Sequence, residues 1–320
     1  MKAASFVYHR AGSTAEAVTL LDDYQGSARI LAGGQSLLPM LNMRLWRPGA
    51  LIDINGIDEL TRVRVEGERT VLGALVRYTT IEHDPLIAER LPLLARVVRH
   101  IGDRQVRNRG TIGGSLVQAD PTGEMPLACL LLGAVVRAVG PRGPREIPVA
   151  ELYAGSYATV LDPDELLTEI VFPAAPAHVA FAERCRRHND FAVLSVAAAG
   201  DRGPDGRWSG VRIGLGGVAD TAVAAIAAAA VLDGTDLTDD AIAEAGRLAL
   251  DVIDPPSDVR ASAEYRRHLV PIYVRRVLTE LRASGETSGN SADDSADDSA
   301  DDSADDSAGN SAGNSGGTTT

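Results

Sequence analysis

Two short segments, Ala32-Gly33-Gly34-Gln35-Ser36 and Thr111-Ile112-Gly113-Gly114-Ser115, constrain this chain more than any other feature of its sequence. Each follows apolar sequence and couples two consecutive glycines to a hydroxyl residue. Glycines let the backbone take positive φ and let a ligand come close to the main chain. Successive N–H groups in such a turn form a concave anion site, to which Ser or Thr can add a hydrogen bond. Two such segments converging on one site could hold a pyrophosphate without a lysine. Two ordinary tight turns would use the same residues, and on the residues alone both readings stand.

A third glycine-rich stretch, Gly214-Leu215-Gly216-Gly217-Val218-Ala219, sits between a strand pattern and a helical one, with Asp233 near the place of a ribose-binding acid. The strand that should follow Leu232 is missing, because DGTDLTDD reads as a loop and another helix. A dinucleotide-binding unit needs strand, helix and strand, so this stretch is expected to be a strand–helix turn. The six histidines lack paired metal-ligand spacing. Outside the C-terminal SADD and SAGN repeats there is no Gly-x-Ser-x-Gly pattern, and there is no Walker A loop. No catalytic residue and no metal ligand is assigned. The cluster Arg96, Arg99, Arg104, Arg107 and Arg109 is expected to be a solvated face with salt-bridge partners.

The formal charge of −13 is concentrated at one end. From Ser284 onward there are nine acidic residues and no Lys or Arg, which leaves 35 acids against 31 bases in the rest. That near-neutral body predicts no basic stripe, and 4% aromatic residues argue against a stacking surface, so no nucleic-acid partner is expected. Two cysteines, Cys129 and Cys185, allow neither a disulfide framework nor a four-cysteine iron–sulfur site. Cys129, in PLACLLLGA, reads as core, and the sparse cysteines suit a cytoplasmic chain. The N-terminal segment has no signal-peptide apolar region, and the apolar stretch Thr221–Leu232 is far short of the ~20 residues of a membrane span.

Ser13-Thr-Ala-Glu16 predicts a capping box opening a helix over Thr14–Tyr24. Arg29–Ala32 and Leu51–Ile54 read as short strands, and Arg62–Glu66 with Thr70–Leu75 as a hairpin around Gly67-Glu68. Pro85–Ile101 carries apolar residues at helical spacing and predicts one helix. Pro173–Ala177 is a plausible linker. Beyond it, Phe191–Ala199 and Val211–Leu215 read as strands, and Thr221–Leu232, Asp239–Ile253 and Ala263–Arg282 as helices. The SADD and SAGN repeats contain no large apolar residue, which predicts disorder.

The stretches LAGGQSLLPMLNMRLWRPGALIDINGI and RNRGTIGGSLVQADPTGEMPLACLLLGA closely resemble the FAD-binding medium subunit of molybdenum hydroxylases, the family of aerobic carbon monoxide dehydrogenase and bacterial xanthine dehydrogenase. The likeness extends through DELLTEIVFP, NDFAVLSVAAA, VRIGLGGVADT and DVRASAEYRRHLVPIYVRRVL, to about residue 283. It implies an α+β fold: a two-part FAD-binding domain of the p-cresol methylhydroxylase/vanillyl-alcohol oxidase type over 1–175, then a smaller α+β domain with a short antiparallel sheet and helices over 178–283. Residues 284–320 form the acidic low-complexity tail.

The resemblance also implies a site. The segment Ile30, Leu31, Ala32, Gly33, Gly34, Gln35, Ser36 and Leu37 would wrap the FAD diphosphate with backbone amides. Thr111, Ile112, Gly113, Gly114 and Ser115 would complete the cradle. Ile101 would lie near the flavin, Asp120 would be a further cofactor contact, and Glu124 would take the acidic position that hydrogen-bonds FAD. Leu166 would pack by the isoalloxazine edge and Phe191 against the ring, where stacking adds about 0.5–1.5 kcal/mol. Gln35 and Gln118 stand where relatives commonly have His, and Ala182 and Glu183 where a lysine is often found. Such a change could alter the flavin's potential or its acceptor.

As a whole, the resemblance implies an electron-transfer subunit of an oxidoreductase. A large subunit with the molybdenum cofactor would oxidise substrate, and a small subunit with [2Fe–2S] clusters would pass electrons to FAD here. Quinone, oxygen or NAD+ would receive them, and the complex would be a dimer of heterotrimers. A stand-alone flavin-dependent reductase or oxidase, or a non-catalytic assembly module, are the alternatives on the same fold.

Overall fold

The computed structural model describes residues 2–187 and 189–290. The SADD and SAGN repeats, and His188, lie outside the described residues.

The chain opens with strand β1 (Val7–Arg10), helix α1 (Thr14–Asp23), strand β2 (Ala28–Leu31), helix α2 (Leu37–Asn42) and strand β3 (Ala50–Asp53), whose strands form a parallel sheet ordered β1-β3-β2. The cap of α1 is reciprocal but stretched by one residue. Ser13 Oγ accepts from the Glu16 N–H at 3.1 Å, and the Glu16 carboxylate accepts from Gly12 N–H at 2.8 Å. Ala17, Val18 and Leu21 form the face of α1 that is buried. β1 gave no signal in the sequence, because Val7 and Tyr8 face outward on an edge strand and break the alternation expected of one.

Strands β4 (Val63–Glu66) and β5 (Arg69–Gly73) form the expected hairpin, with Gly67 at φ +63° in its turn. The segment after it differs from expectation. After α3 (Tyr78–His83), in place of one helix over Pro85–Ile101, the chain forms α4 (Pro85–Arg90), α5 (Pro92–Val97) and a single 3₁₀ turn over Val98–His100. Pro92 supplies no N–H and pushes Leu91 out of the helical region, to φ −135°, so the helix must restart. Ile87, Leu91, Leu94, Val97 and Val98 are nevertheless all fully buried, so the spacing identified the core face although it missed the break.

Next come α6 (Arg104–Arg109), α7 (Ile112–Gln118) and α8 (Glu124–Leu131), then β6 (Val135–Gly140), β7 (Gly143–Pro148), the small pair β8 (Tyr153–Gly155) and β9 (Ala158–Thr159), and β10 (Leu166–Phe172). β10 returns between β5 and β6 to complete an antiparallel sheet ordered β4-β5-β10-β6-β7. Cys129, in the middle of α8, is buried in the core that this sheet shares with the helices, as expected.

Residues 173–177 lead into β11 (His178–Cys185), β12 (Ala192–Arg202), β13 (Trp208–Gly216) and β14 (Val223–Ala224), an antiparallel sheet in that order. Both faces are covered. Phe181, Ala197 and Ala199 point into the core of the first part, while Ala180, Val196 and Ala198 point toward the later helices. Burial on both sides explains why β12 reads as an unbroken apolar run.

Several expectations are corrected here. Thr221–Leu232 is not one helix: Val223–Ala224 pairs with Leu215–Gly214, and only α9 (Ile226–Ala230) is helical. Sheet pairing overrides the helix preference of the alanines at the start of that run. Gly214 and Gly216 lie within β13, Gly217 turns the chain at φ +77°, and strand β14 rather than a helix comes next; a Cβ on Gly214 would come 2.7 Å from Leu127 of α8. Helix α10 (Asp239–Leu248) gives way to a 3₁₀ turn, and α11 (Ala263–Asn290) runs past Arg282. Residues 284–290 are therefore helical rather than part of the tail. Gly285 is buried where a Cβ would meet the Trp208 ring at 2.9 Å, and Arg202 Nη1 donates to its carbonyl at 3.0 Å.

Candidate functional site

The end of β2, the α6–α7 junction, the start of α8 and the segments 159–167 and 189–191 surround one cavity of about 530 Å³. That size is within the range of small-molecule and cofactor sites. Both glycine segments open onto it.

The two segments touch each other through backbone. A Cβ on Gly33 would lie 3.0 Å from the Arg109 carbonyl carbon and from Gly110 Cα, and closer still to the Arg109 carbonyl oxygen. Only glycine permits that approach. Gly34 takes φ +73°, and Leu38 N–H closes the turn by donating to the Gly34 carbonyl at 3.0 Å. Among the described residues no hydrogen bond uses the N–H of Gln35 or Ser36, so these amides are free to serve a ligand.

The second segment is built differently. Thr111 caps α7, its Oγ1 accepting from Gly114 N–H at 3.1 Å. Ile112 N–H goes to Val76 O, Gly113 N–H to Ala74 O and Ser115 N–H to Thr111 O. Its amides are thus consumed internally. What it contributes is a close-packed floor at Gly113, where a Cβ would strike Ala74 at 2.6 Å, together with the cavity-lining Gly114 and the Ser115 hydroxyl.

A brace holds the segments together. Asn55 Nδ2 donates to the Ala32 carbonyl at 2.9 Å, and Arg77 bridges the Asn55 side-chain carbonyl and the Arg109 carbonyl. Burial pulls the Arg77 pKa down, with the Arg109 charge acting in the same direction. Neither Asn55 nor Arg77 carries a local sequence signal, since the brace joins positions 22 and 32 residues apart. Arg107 likewise departs from the expected solvated face. It is largely buried, pairs with Glu82 at 2.9 Å, and donates to the Gly102 carbonyl at 2.9 Å, which holds the Ile101–Gly102 turn against the cavity. Arg96 pairs with Glu280 of α11, while Arg99, Arg104 and Arg109 are exposed.

Of the residues the sequence singled out, Ile30, Ala32, Gly33, Gly34, Gln35, Ser36, Leu37, Ile101, Thr111, Gly113, Gly114, Ser115, Asp120, Glu124, Leu166 and Phe191 line the cavity. Leu31 and Ile112 do not. Ile112 is wholly buried in the core because the Thr111 cap turns it inward, and Leu31 packs beneath Gly34. Asp120 accepts from Thr122 N–H at 2.9 Å and from the Tyr157 hydroxyl at 3.2 Å. Phe191 is half exposed, with the Arg260 guanidinium 4.7 Å above its ring. Gln118 and Tyr78 also line the wall.

The Glu124 carboxyl is enclosed by protein and opens onto the cavity. Burial pushes its pKa up to about 8, with the Glu183 charge adding to the shift. At neutral pH it is therefore chiefly protonated and a hydrogen-bond donor, as an enclosed carboxyl should be.

These features fit a dinucleotide cofactor: free amides in a turn with positive φ, a glycine floor, apolar walls at Ile101 and Leu166, and polar groups at Ser115, Asp120 and Glu124. Residues 4–175 match the family described as FAD binding domain in molybdopterin dehydrogenase, and residues 179–281 match the CO dehydrogenase flavoprotein C-terminal domain. The chain belongs to the FAD-binding medium subunits of molybdenum hydroxylases.

The medium subunit is similar to the nicotine 6-hydroxylase medium subunit of Paenarthrobacter nicotinovorans, at 38% identity over 286 residues, 88% of this chain and 99% of that one. It is 37% identical to the carbon monoxide dehydrogenase medium chain of Afipia carboxidovorans, covering 87% of this chain and 97% of that one. Its fold superposes on a chain of the carbon monoxide dehydrogenase of Hydrogenophaga pseudoflava with a TM-score of 0.85 at 38% identity, covering 88% and 99%. These relatives are subunits of dehydrogenases and hydroxylases. No helix among the described residues is long and apolar enough to cross a membrane.

Proposed function

We propose that this medium subunit relays electrons within a three-part molybdenum hydroxylase, between a small [2Fe–2S] subunit and an external acceptor such as quinone, oxygen or NAD+. Bound FAD would supply the chemistry the role needs, since a flavin accepts electrons singly and yields them singly or in pairs. The observation that carries this reading is the backbone contact of Gly33 with Arg109 and Gly110, which joins both glycine segments in one wall of the cavity.

The chain's own residues would bind and orient. The free amides of Gln35 and Ser36 would receive the diphosphate, with Gly33 and Gly113 keeping the backbone close and Asn55 and Arg77 holding the two segments in register. Ser115, Asp120 and Glu124 would provide polar contacts, and Ile101, Leu166 and Phe191 apolar walls. Thr111 acts through its cap on α7. No residue of the chain is asked to act on the substrate, whose oxidation would belong to the large molybdenum subunit. The names of the relatives as medium subunits support such an assembly, for which we infer two copies of each of three chains in the cytoplasm.

Co-production with the neighbouring subunits tests the assignment. Isolation of one complex containing molybdenum, iron and flavin, with substrate-dependent bleaching of the flavin, is the expected result. A flavin-loaded chain that never associates with molybdenum- or iron-containing partners, and turns over a substrate alone, would overturn it.

A further inference from the structure

Trp46 lines the cofactor cavity beside Arg29, whose guanidinium lies over the indole, 4.7 Å from the ring centroid. Arg29 is itself fixed, because its Nη1 donates to the Gly26 carbonyl at 2.9 Å and to the Ala28 carbonyl at 2.7 Å. The loop that carries Trp46 is pinned on both sides. Leu45 N–H donates to the Met40 carbonyl at 3.0 Å, and Gly49 N–H to the Ser27 carbonyl at 2.8 Å. With the guanidinium over its ring, Trp46 is still 40% exposed. It stands at the cavity as a held, flat surface with open area left on it.

The pair belongs to the same run of chain as the diphosphate segment. Arg29 is in β2, three residues before Ala32, which is about 10 Å along an extended strand. A nucleoside spans a comparable length. The carboxylates on this side of the cavity are already engaged, Asp162 with Arg142 and Glu165 with Arg145. Gly26, which accepts one of the Arg29 bonds, adjoins Pro163 of that wall, where its Cβ would come within 3.4 Å. This side therefore offers stacking area and no free carboxylate.

The remainder of the cavity has a different character. Ile101 packs on the core of the helices from α3 to α8, and the polar groups Ser115, Asp120 and Glu124 open onto the cavity. A flavin ring carries carbonyls and nitrogens that call for hydrogen-bonding partners. A purine can be held by stacking, because every base has a π-face. The two sides thus suit the two rings of one dinucleotide.

We propose that Trp46, held by Arg29, is the platform on which the purine of the bound dinucleotide stacks, and that this contact makes the site prefer FAD over FMN. The proposal rests on the reading of the cavity as an FAD site. FAD and FMN share the flavin and one phosphate, and FAD alone adds a second phosphate and an adenosine. Contacts to the shared part strengthen both ligands equally, so selection requires a group that touches the added part. A stack of Arg29 on Trp46 that merely covered an exposed indole would stabilise the fold and treat both flavins alike.

The test uses the full-length chain freed of flavin, titrated with FAD and with FMN while flavin fluorescence is followed, with the melting temperature recorded alongside. Trp46→Ala should weaken FAD binding about 5- to 100-fold, the range for loss of one base–aromatic stack, and leave FMN binding within about twofold. Trp46→Phe keeps a stacking ring and should recover most of the FAD affinity. ADP probes the same side without a flavin. It should compete with FAD and quench tryptophan emission in the wild type, and the quench should vanish in W46F, where the buried Trp208 is the one tryptophan left. Unchanged FAD affinity in W46A, or ADP that displaces FAD without altering the emission, would overturn the proposal. So would an equal loss of FAD and FMN, which would make Trp46 a flavin contact or a purely structural residue. A wild-type chain that takes up neither flavin would overturn the FAD reading itself.

Discussion

Gly33 and the carbonyl of Arg109 occupy space that no side chain can share, because a Cβ on Gly33 would lie 3.0 Å from the Arg109 carbonyl carbon. This contact joins two segments more than seventy residues apart into one wall. Gly33→Ala must push the first segment away from the second, at a cost of about 1–3 kcal/mol for forced repacking. Flavin content should fall sharply in the variant while its far-ultraviolet circular dichroism stays native. Gly12→Ala, whose Cβ would meet only the tip of Glu16 at 3.5 Å, should keep full flavin content.

The Asn55–Arg77 brace leads to a second expectation. Asn55→Ala leaves the Ala32 carbonyl and the Arg77 guanidinium each short of a partner, a loss of about 1–3 kcal/mol. FAD affinity measured by fluorescence titration should fall roughly 5- to 100-fold, as that energy converts at 1.4 kcal/mol per decade. An unchanged affinity would mean that the brace serves only stability, and the melting temperature would then carry the whole effect.

Glu124 sets a pH dependence with a definite sign. Its folded pKa, about 8, lies above the ordinary carboxylate value, so between those values the folded state binds more protons than the unfolded one. Stability of the flavin-free chain from this group is greatest below the ordinary carboxylate range and is lost as pH rises toward 8. Glu124→Gln should flatten that decline, an effect on the order of a few kcal/mol, in urea unfolding at pH 5, 6.5 and 8. A decline equally steep in E124Q would place its origin elsewhere.

The end of α11 separates two truncations. Removing everything from Ser291 leaves every described contact in place, and melting temperature and flavin content should match the full chain. Removing everything from Ser284 also deletes Gly285 and uncovers Trp208, which is otherwise buried. That shorter chain should melt several degrees lower and show red-shifted tryptophan emission, yet keep its flavin, because neither Gly285 nor its neighbours Arg202 and Trp208 line the cavity.

Local chemistry made some of this architecture legible and hid the rest. The Ser13–Glu16 cap, the Gly67 hairpin and the two glycine pairs are decided by residues within a few positions of one another, and each lies in the structure where its chemistry demands. An unbroken apolar spacing runs across Pro92 and hides the break there, and Val223–Ala224 is a strand only through its partner β13. In the site, the likeness of the two glycine segments concealed their difference: one keeps free amides, the other spends its amides on capping and pairing. That distinction, like the Asn55–Arg77 brace, comes from contacts between distant parts of the chain, which no local pattern encodes.

The most direct measurement is the flavin content of the purified full-length chain, by visible absorbance before and after denaturation, with the released cofactor identified. A two-banded oxidised-flavin spectrum, and release of one FAD per chain on unfolding, is the predicted result. A colourless chain that also fails to take up added FAD, both alone and when produced with its partner subunits, would contradict the assignment of the cavity.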